Sequence, residues 1–273
     1  MGPTTAEGAV WISEDIGSNE LSEPFLFAGW DNRSAWIKNE GTTVVSFIFE
    51  VDKKGDGNWT PLKSVNMSPG ESGHIVFQDD EIGEWVRVKP NKATKATLHF
   101  FYGDTDERNI NPSSIFKGVA DISNTNASGG LLWALGDNRR TLGVLAGSVS
   151  TKGFQETGYY ELDSLLNLVK KEDVKTVELI RDKVAIPKNV VTTDEASVLI
   201  VDDQGRRWRL PKGNNAYREG MDNGALRICR EVSTERDLLN CSGTFYELPA
   251  ENADGFAKIR PVASHDMLIH DYA

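Results

Sequence analysis

The stretch "TTVVSFIFEVDKKGDGNWTPLKSVNM", residues 42–67, decides the fold class. Two runs rich in β-branched and aromatic residues flank a polar segment that contains Asp56-Gly57, and Asp-Gly between such runs is a strong β-hairpin signal. The segment also resembles a calcium-binding loop in the spacing of Asp52, Asp56 and Gly57. However, its third position is Lys54 and its twelfth is Lys63, where such loops carry oxygen ligands. We therefore predict a turn here and no metal site.

Similar short runs extend outward from this hairpin, from "PFLFAGWD" (24–31) to "ATLHFFYGD" (96–104), and turn residues separate them. This spacing predicts an antiparallel β-sandwich over residues 21–103, preceded by an N-terminal strand or linker over residues 1–20. Within "EWVRVKP" (84–90), two valines alternate with Trp85, Arg87 and Lys89, which predicts one core-facing side and one side facing water.

The second half begins with the polar stretch "DTDERNINPSS" (104–114), which is typical of a linker. Longer strand-like units follow, with spacings compatible with four-stranded propeller blades. We therefore predict a propeller-like β domain over residues 104–273, partial or small, and an all-β protein overall. Residues 162–171 fit a helical period as well as a strand, whereas "KTVELIRDKVAI" (175–186) is interpreted as a strand.

Composition and charge exclude several function classes. The 273 residues carry a net charge of −11 with no basic tract, so we predict no nucleic-acid partner. No stretch approaches the roughly 18 apolar residues of a membrane span, and the first residues lack the basic and apolar regions of a signal peptide, so we predict neither feature in this sequence. Two cysteines are too few for a disulfide scaffold or a four-thiolate zinc site.

The two cysteines lie in a predicted hairpin, "ALRICREVSTERDLLNCSGTFYEL" (225–248). If its turn is centred on Glu235, Cys229 faces Cys241 across the ladder at a separation that a strained disulfide can bridge. Two buried thiols are the alternative, and the sequence leaves both states open.

Much of the chain resembles a group of largely uncharacterised bacterial proteins that combine a β-propeller with an immunoglobulin-like β-sandwich. The stretches that carry the resemblance are "VWISED", "SEPFLFAGWDNRSAWIKNEG", "GEWVRVKPNKATKATLHFFY", "GMDNGALRICREVSTERDLLNCSGTFYELPAENADGFAKIRP" and "HDYA". The resemblance implies an association with glycan degradation, a glycan or oligosaccharide as partner, and a secreted or periplasmic location. One position departs from it: Ser242 stands where the resemblance leads us to expect histidine.

Candidate catalytic residues come from two polar segments. "STERDLLNCSGTFYELPAEN" (233–252) contains Arg236, Tyr246 and Glu247, which include the carboxylate, phenol and guanidinium types used by polysaccharide hydrolases and lyases. Glu247 is the preferred acid because the residues around it are apolar. The same composition is also ordinary for a solvated charged loop.

The chain ends in "HDMLIHDYA" (265–273), which supplies His265 and His270 as further catalytic candidates. In a strand these two histidines point to opposite faces, so they cannot share a metal ion. At most one of them is expected to be functional, and we predict neither a metal nor a cofactor.

Candidate ligand-binding residues are Tyr217 and Arg218 in the glycine-rich loop 216–224, Glu251, and Trp59 beside the Asp-Gly turn. Aromatic rings of this kind stack on the faces of sugars in binding sandwiches. We therefore predict a carbohydrate-active enzyme, a polysaccharide hydrolase or lyase with its site on propeller loops. A non-catalytic glycan-binding or structural β module is the alternative.

Overall fold

A computed structural model describes residues 5–105, 127–136, 141–150, 153–184, 191–202, 204–213, 226–230, 237–241, 244–247 and 259–264. The secondary structure of these residues, in chain order, is β1 (Thr5–Ile16), β2 (Phe25–Leu26), β3 (Asn32–Asn39), β4 (Val45–Asp52), β5 (Trp59–Met67), β6 (Ser72–Phe77), β7 (Trp85–Pro90), β8 (Thr94–Gly103), β9 (Ala127–Leu135), β10 (Thr141–Ser150), β11 (Gly153–Leu162), β12 (Leu168–Lys171), α1 (Val174–Val184), β13 (Val191–Thr193), β14 (Val198–Val201), β15 (Arg207–Leu210), β16 (Leu226–Arg230), β17 (Asp237–Cys241), β18 (Thr244–Glu247) and β19 (Arg260–Ser264). The prediction of an all-β protein is confirmed.

Two sheets share the main hydrophobic core. One has four antiparallel strands in the order β1-β8-β3-β6, and the other has seven in the order β13-β14-β15-β2-β7-β4-β5. Ile37 and Phe100 from the first sheet and Phe47 and Val86 from the second are fully buried in one continuous cluster. Each such side chain contributes about 1.5–3 kcal/mol through burial, so this core is the main source of stability.

The N-terminal segment belongs to the first sheet. β1 pairs with β8 along its whole length, from Thr5 opposite Gly103 to Ile16 opposite Thr94. The predicted hairpin 42–67 is also present, as β4 and β5 with Asp52 opposite Trp59.

Strands from the second half of the chain extend the seven-stranded sheet. β15 pairs in parallel with the two-residue strand β2, with Arg209 opposite Phe25, and β14 and β13 follow outward. Trp208 on β15 packs on Trp85, with 4.6 Å between the ring centroids. Trp85 is therefore completely buried, although its sequence alternation with Arg87 predicts a water-facing position.

Two smaller sheets are described besides these two, and one of them contributes Tyr246 of β18 to the main core. Each has four antiparallel strands, in the orders β12-β11-β10-β9 and β16-β17-β18-β19, and within the described residues neither closes on itself. One face of the first is covered by α1, whose Val177 and Ile180 pack with Leu145 and Tyr159. Among the described residues, no helix has the length and apolarity needed to cross a membrane.

One local prediction was wrong, and at residues 162–171 the structure decides between the two alternatives that the sequence left open. Residues 175–186 are predicted as a strand, but α1 covers Val174–Val184, and Asp173 caps it by accepting a hydrogen bond from the Thr176 N–H at 3.1 Å. Residues 162–171 form the end of β11, a turn and β12 instead of a helix. Leu165 and Leu166 in this turn are 78% and 77% exposed, so their helical spacing does not mark a buried face.

Cys229 does not face Cys241, so the pairing that a turn centred on Glu235 would give is not present. β16 pairs with β17 so that Cys229 lies opposite Leu238 and Cys241 lies opposite Leu226. The two cysteines are therefore displaced along the ladder by three residues, about 10 Å. A disulfide requires Cα atoms within about 7 Å of each other.

We expect both thiols to be free in this fold. Titration of the denatured chain with a thiol reagent, without prior reduction, should give two thiols per molecule, the same value as a reduced control. A value close to zero before reduction and two after it would contradict the observed register.

Candidate ligand site

A surface groove of about 610 Å³ lies between the β4–β5 turn and the β14–β15 turn. Its lining includes residues 21–24, Asp52, residues 55–57 of the first turn, Trp59, Arg87 and residues 205–208. We call it the Trp59 groove. Its volume falls within the range of about 300–1,000 Å³ that is usual for small-ligand sites.

The first turn is held in place by one buried carboxylate. Oδ1 of Asp52 accepts hydrogen bonds from the N–H groups of Lys54, Gly55 and Asp56 at 3.1, 2.9 and 3.2 Å, and Oδ2 accepts one from Gly57 at 2.7 Å. Gly55 and Gly57 have φ angles of 67° and 82°, which favour glycine. These backbone bonds occupy the carboxylate, so the segment is the turn that the sequence predicts.

The second turn repeats the arrangement with Asp202. Its Oδ1 accepts hydrogen bonds from the N–H groups of Gln204 and Arg206 at 3.0 and 2.8 Å, and Gly205 has a φ of 74°. Its Oδ2 accepts hydrogen bonds from Nε of Arg206 at 2.6 Å and from Nε1 of Trp208 at 3.1 Å. Burial acts to raise the pKa of Asp202, but the hydrogen bonds from Arg206 and Trp208 outweigh it and the pKa is lowered.

Trp59 forms one wall of the groove. It is half-buried at the first position of β5, and the guanidinium of Arg87 lies 4.3 Å from its ring centroid. Arg87 is itself fixed by Glu50, whose Oε2 is 2.8 Å from Nε of Arg87 and whose Oε1 is 2.6 Å from Nζ of Lys89. The Trp59 ring is therefore held against Arg87, which two ion pairs fix in turn, and it is one of the residues that line the groove.

The arginines around the groove have carboxylate partners. Arg206 pairs with Asp202, Arg207 pairs with Glu23, and Arg87 pairs with Glu50. Each arginine charge is offset by its carboxylate partner, so the groove attracts an ionic ligand only weakly. The N–H groups and carboxylate oxygens that these pairs leave available can bond to hydroxyl groups. Among the described residues, no cluster of three or more His, Cys, Asp or Glu side chains is positioned to hold a metal ion.

The structure separates the predicted site residues that it describes. Trp59 lies in the groove. Tyr246 is fully buried in the main core, and its hydroxyl group donates a hydrogen bond to the Pro211 carbonyl oxygen at 3.1 Å. Glu247 is half-buried on β18, opposite Leu238 on one side and Arg260 on the other. The remaining candidates lie outside the described residues: Arg236, His265, His270, Tyr217, Arg218, Glu251 and also Ser242.

A repeated sequence pattern also marks this groove, although the sequence-based predictions do not include it. "VDKKGDGNW" (51–59) and "VDDQGRRW" (201–208) share the pattern Val-Asp-x-x-Gly followed by Trp. In both, the aspartate accepts backbone hydrogen bonds across its turn, and the tryptophan follows at the start of the next strand. The pattern therefore identifies the two turns that enclose the groove.

The comparisons with known proteins add no relative to this picture. No protein-family model, no curated protein and no solved structure matches the chain.

We expect Asp202→Asn to weaken folding in a pH-dependent way. A lowered carboxyl pKa stabilises the fold above the unfolded-state value of about 3.9, and this contribution is lost as the pH falls through the lower folded-state pKa. Urea unfolding should therefore show the variant less stable than the parent at pH 7, with the difference shrinking below about pH 4. Asp80→Asn, at an exposed turn, serves as the control and should change little.

An Asp202→Asn stability difference of the same size at pH 7 and pH 3 would contradict a role for the ionised carboxylate.

Proposed function

We propose that the protein is a glycan-binding β module that binds an oligosaccharide in the Trp59 groove. The observation that carries this proposal is a half-buried tryptophan, fixed by Arg87, at a groove between two turns anchored by Asp52 and Asp202. A rigid aromatic ring loses little conformational entropy when a sugar stacks on it, which favours binding.

The paired charges of the groove favour neutral sugars over ionic ligands. Hydroxyl groups of a sugar can accept hydrogen bonds from Arg206 and Arg207 and donate them to Glu23, while the existing ion pairs hold these side chains in position. Interactions of this kind orient a ligand, and the tryptophan contributes the apolar contact area.

A carbohydrate-active hydrolase or lyase is the second candidate. It is favoured by Glu247, which lies opposite Arg260 on the neighbouring strand, so that a carboxyl and a guanidinium are brought to one sheet. The two four-stranded sheets, β9–β12 and β16–β19, have the strand number of propeller blades, and we propose them as parts of a partial or small propeller. A secreted or periplasmic location accompanies this proposal.

Replacement of Trp59 by alanine separates the two functions. On a panel of neutral and acidic oligosaccharides, we expect Trp59→Ala to lower the affinity for a bound neutral glycan at least about tenfold, the equivalent of about 1.4 kcal/mol. Trp36→Ala is the matched control, because Trp36 is also half-buried but lies on β3 in the other sheet. Trp36→Ala should bind the same neutral glycan with the affinity of the parent protein.

The same incubations should be assayed for new reducing ends. Binding without product supports the glycan-binding module, whereas product that disappears in Glu247→Gln supports the enzyme. Unchanged glycan affinity in Trp59→Ala would contradict the proposed groove.

A further inference from the structure

Arg33 is a buried cation on β3. Alternate residues of this strand face the core, and Arg33 occupies one of these positions with 8% of its surface exposed. Its guanidinium carbon lies 4.1 Å from the ring centroid of Phe27, which supplies a cation–π contact.

No carboxylate among the described residues lies within 4.0 Å of this guanidinium. Its Nη2 donates a long hydrogen bond to the Gln78 carbonyl at 3.3 Å, and its buried Nε has no partner among the described residues. Burial lowers the pKa of Arg33, while Tyr102, Glu81 and Asp79 act in the opposite direction through space. Arg87 and Arg209 differ, because each has a carboxylate oxygen within 2.9 Å.

A buried charge without a counter-ion costs several kcal/mol, which a fold tolerates when the charge serves another purpose. Arg33 lines two adjoining cavities, of about 740 Å³ and 460 Å³. Trp30 also lines the larger cavity, and its buried Nε1 has no hydrogen-bond partner among the described residues. Nε of Arg33 and Nε1 of Trp30 are both hydrogen-bond donors, so each requires an acceptor.

The other charges of the larger cavity define the ligand further. Asp31 accepts a hydrogen bond from the Thr105 N–H at 2.9 Å, and Glu84 is paired with Arg260. Lys53, from the first turn of the Trp59 groove, adds a second cation, and the exposed Asp31 and Asp79 each add a negative charge. A mixed lining of this kind suits a ligand with one negative charge and several hydroxyl groups better than a polyanion.

We propose that the cavity beside Arg33 binds the carboxylate of an acidic sugar, of the uronic acid class. The carboxylate supplies the counter-ion that Arg33 lacks, and the sugar hydroxyls contact the polar lining. This site is separate from the Trp59 groove and does not depend on the function proposed for it.

The test compares Arg33→Met with the parent protein in calorimetric titrations with D-glucuronate, D-glucose and inorganic phosphate. We expect the parent to bind glucuronate in preference to the other two, and Arg33→Met to bind glucuronate at least about tenfold more weakly. Arg181→Met is the matched control, because Arg181 is an arginine of α1 paired with Glu156, and it should bind as the parent does.

Thermal unfolding without ligand supplies a second readout. Removal of a buried cation that lacks a counter-ion should leave the Tm of Arg33→Met unchanged or raise it. A lower Tm combined with unchanged glucuronate affinity would assign Arg33 a structural role and overturn the proposal. Equal binding of phosphate and glucuronate by the parent would overturn the assignment to acidic sugars.

These outcomes are distinguishable from those of the Trp59 groove, because Trp59→Ala is scored on neutral oligosaccharides and Arg33→Met on the uronate.

Discussion

Trp208 packs on Trp85 with 4.6 Å between the ring centroids, and the position of the Trp59 groove depends on this contact. β2 has only two residues, so it offers β15 little backbone pairing. The tryptophan contact, the ion pair of Arg209 with Glu23 and the backbone hydrogen bonds between Glu7 and Lys212 therefore add to the attachment of β15 to the sandwich. With β15 in this place, the turn at Asp202 lies across the groove from the turn at Asp52.

The Trp59 groove and the larger cavity beside Arg33 differ in how their arginines are paired. The arginines of the Trp59 groove are paired with carboxylates, so the groove is suited to hydroxyl-rich neutral ligands. Arg33 lacks such a partner among the described residues, and its cavity therefore favours a ligand that supplies a negative charge. Lys53 and Asp56 lie in the same turn but line different cavities, so this turn separates the two sites.

Local patterns in the sequence predicted the hairpin of β4 and β5. The Asp-Gly turn and its flanking strands were evident, because hairpins depend on neighbouring residues. The parallel pairing of Arg209 with Phe25 joins residues far apart in the chain, and no periodicity marks it. The alternation along β7 places Trp85 on the same side as Arg87 and therefore predicts that Trp85 faces water. Trp208 packs on Trp85 instead, and Trp85 is buried. The sequence-based prediction also missed α1, because its apolar residues fit a strand. The Asp173 side chain caps the first turn of α1 and so favours the helix.

The central claim is that ligand binds between the two aspartate-anchored turns, against Trp59. The most direct measurement is ¹⁹F NMR of the protein labelled with 5-fluorotryptophan, which gives one signal for each of the seven tryptophans. Trp59→Phe and Trp36→Phe assign two of these signals. On titration with a neutral oligosaccharide, we predict a saturable shift of the Trp59 signal and none of the Trp36 signal. A saturable shift of other signals with the Trp59 signal unchanged would contradict the claim.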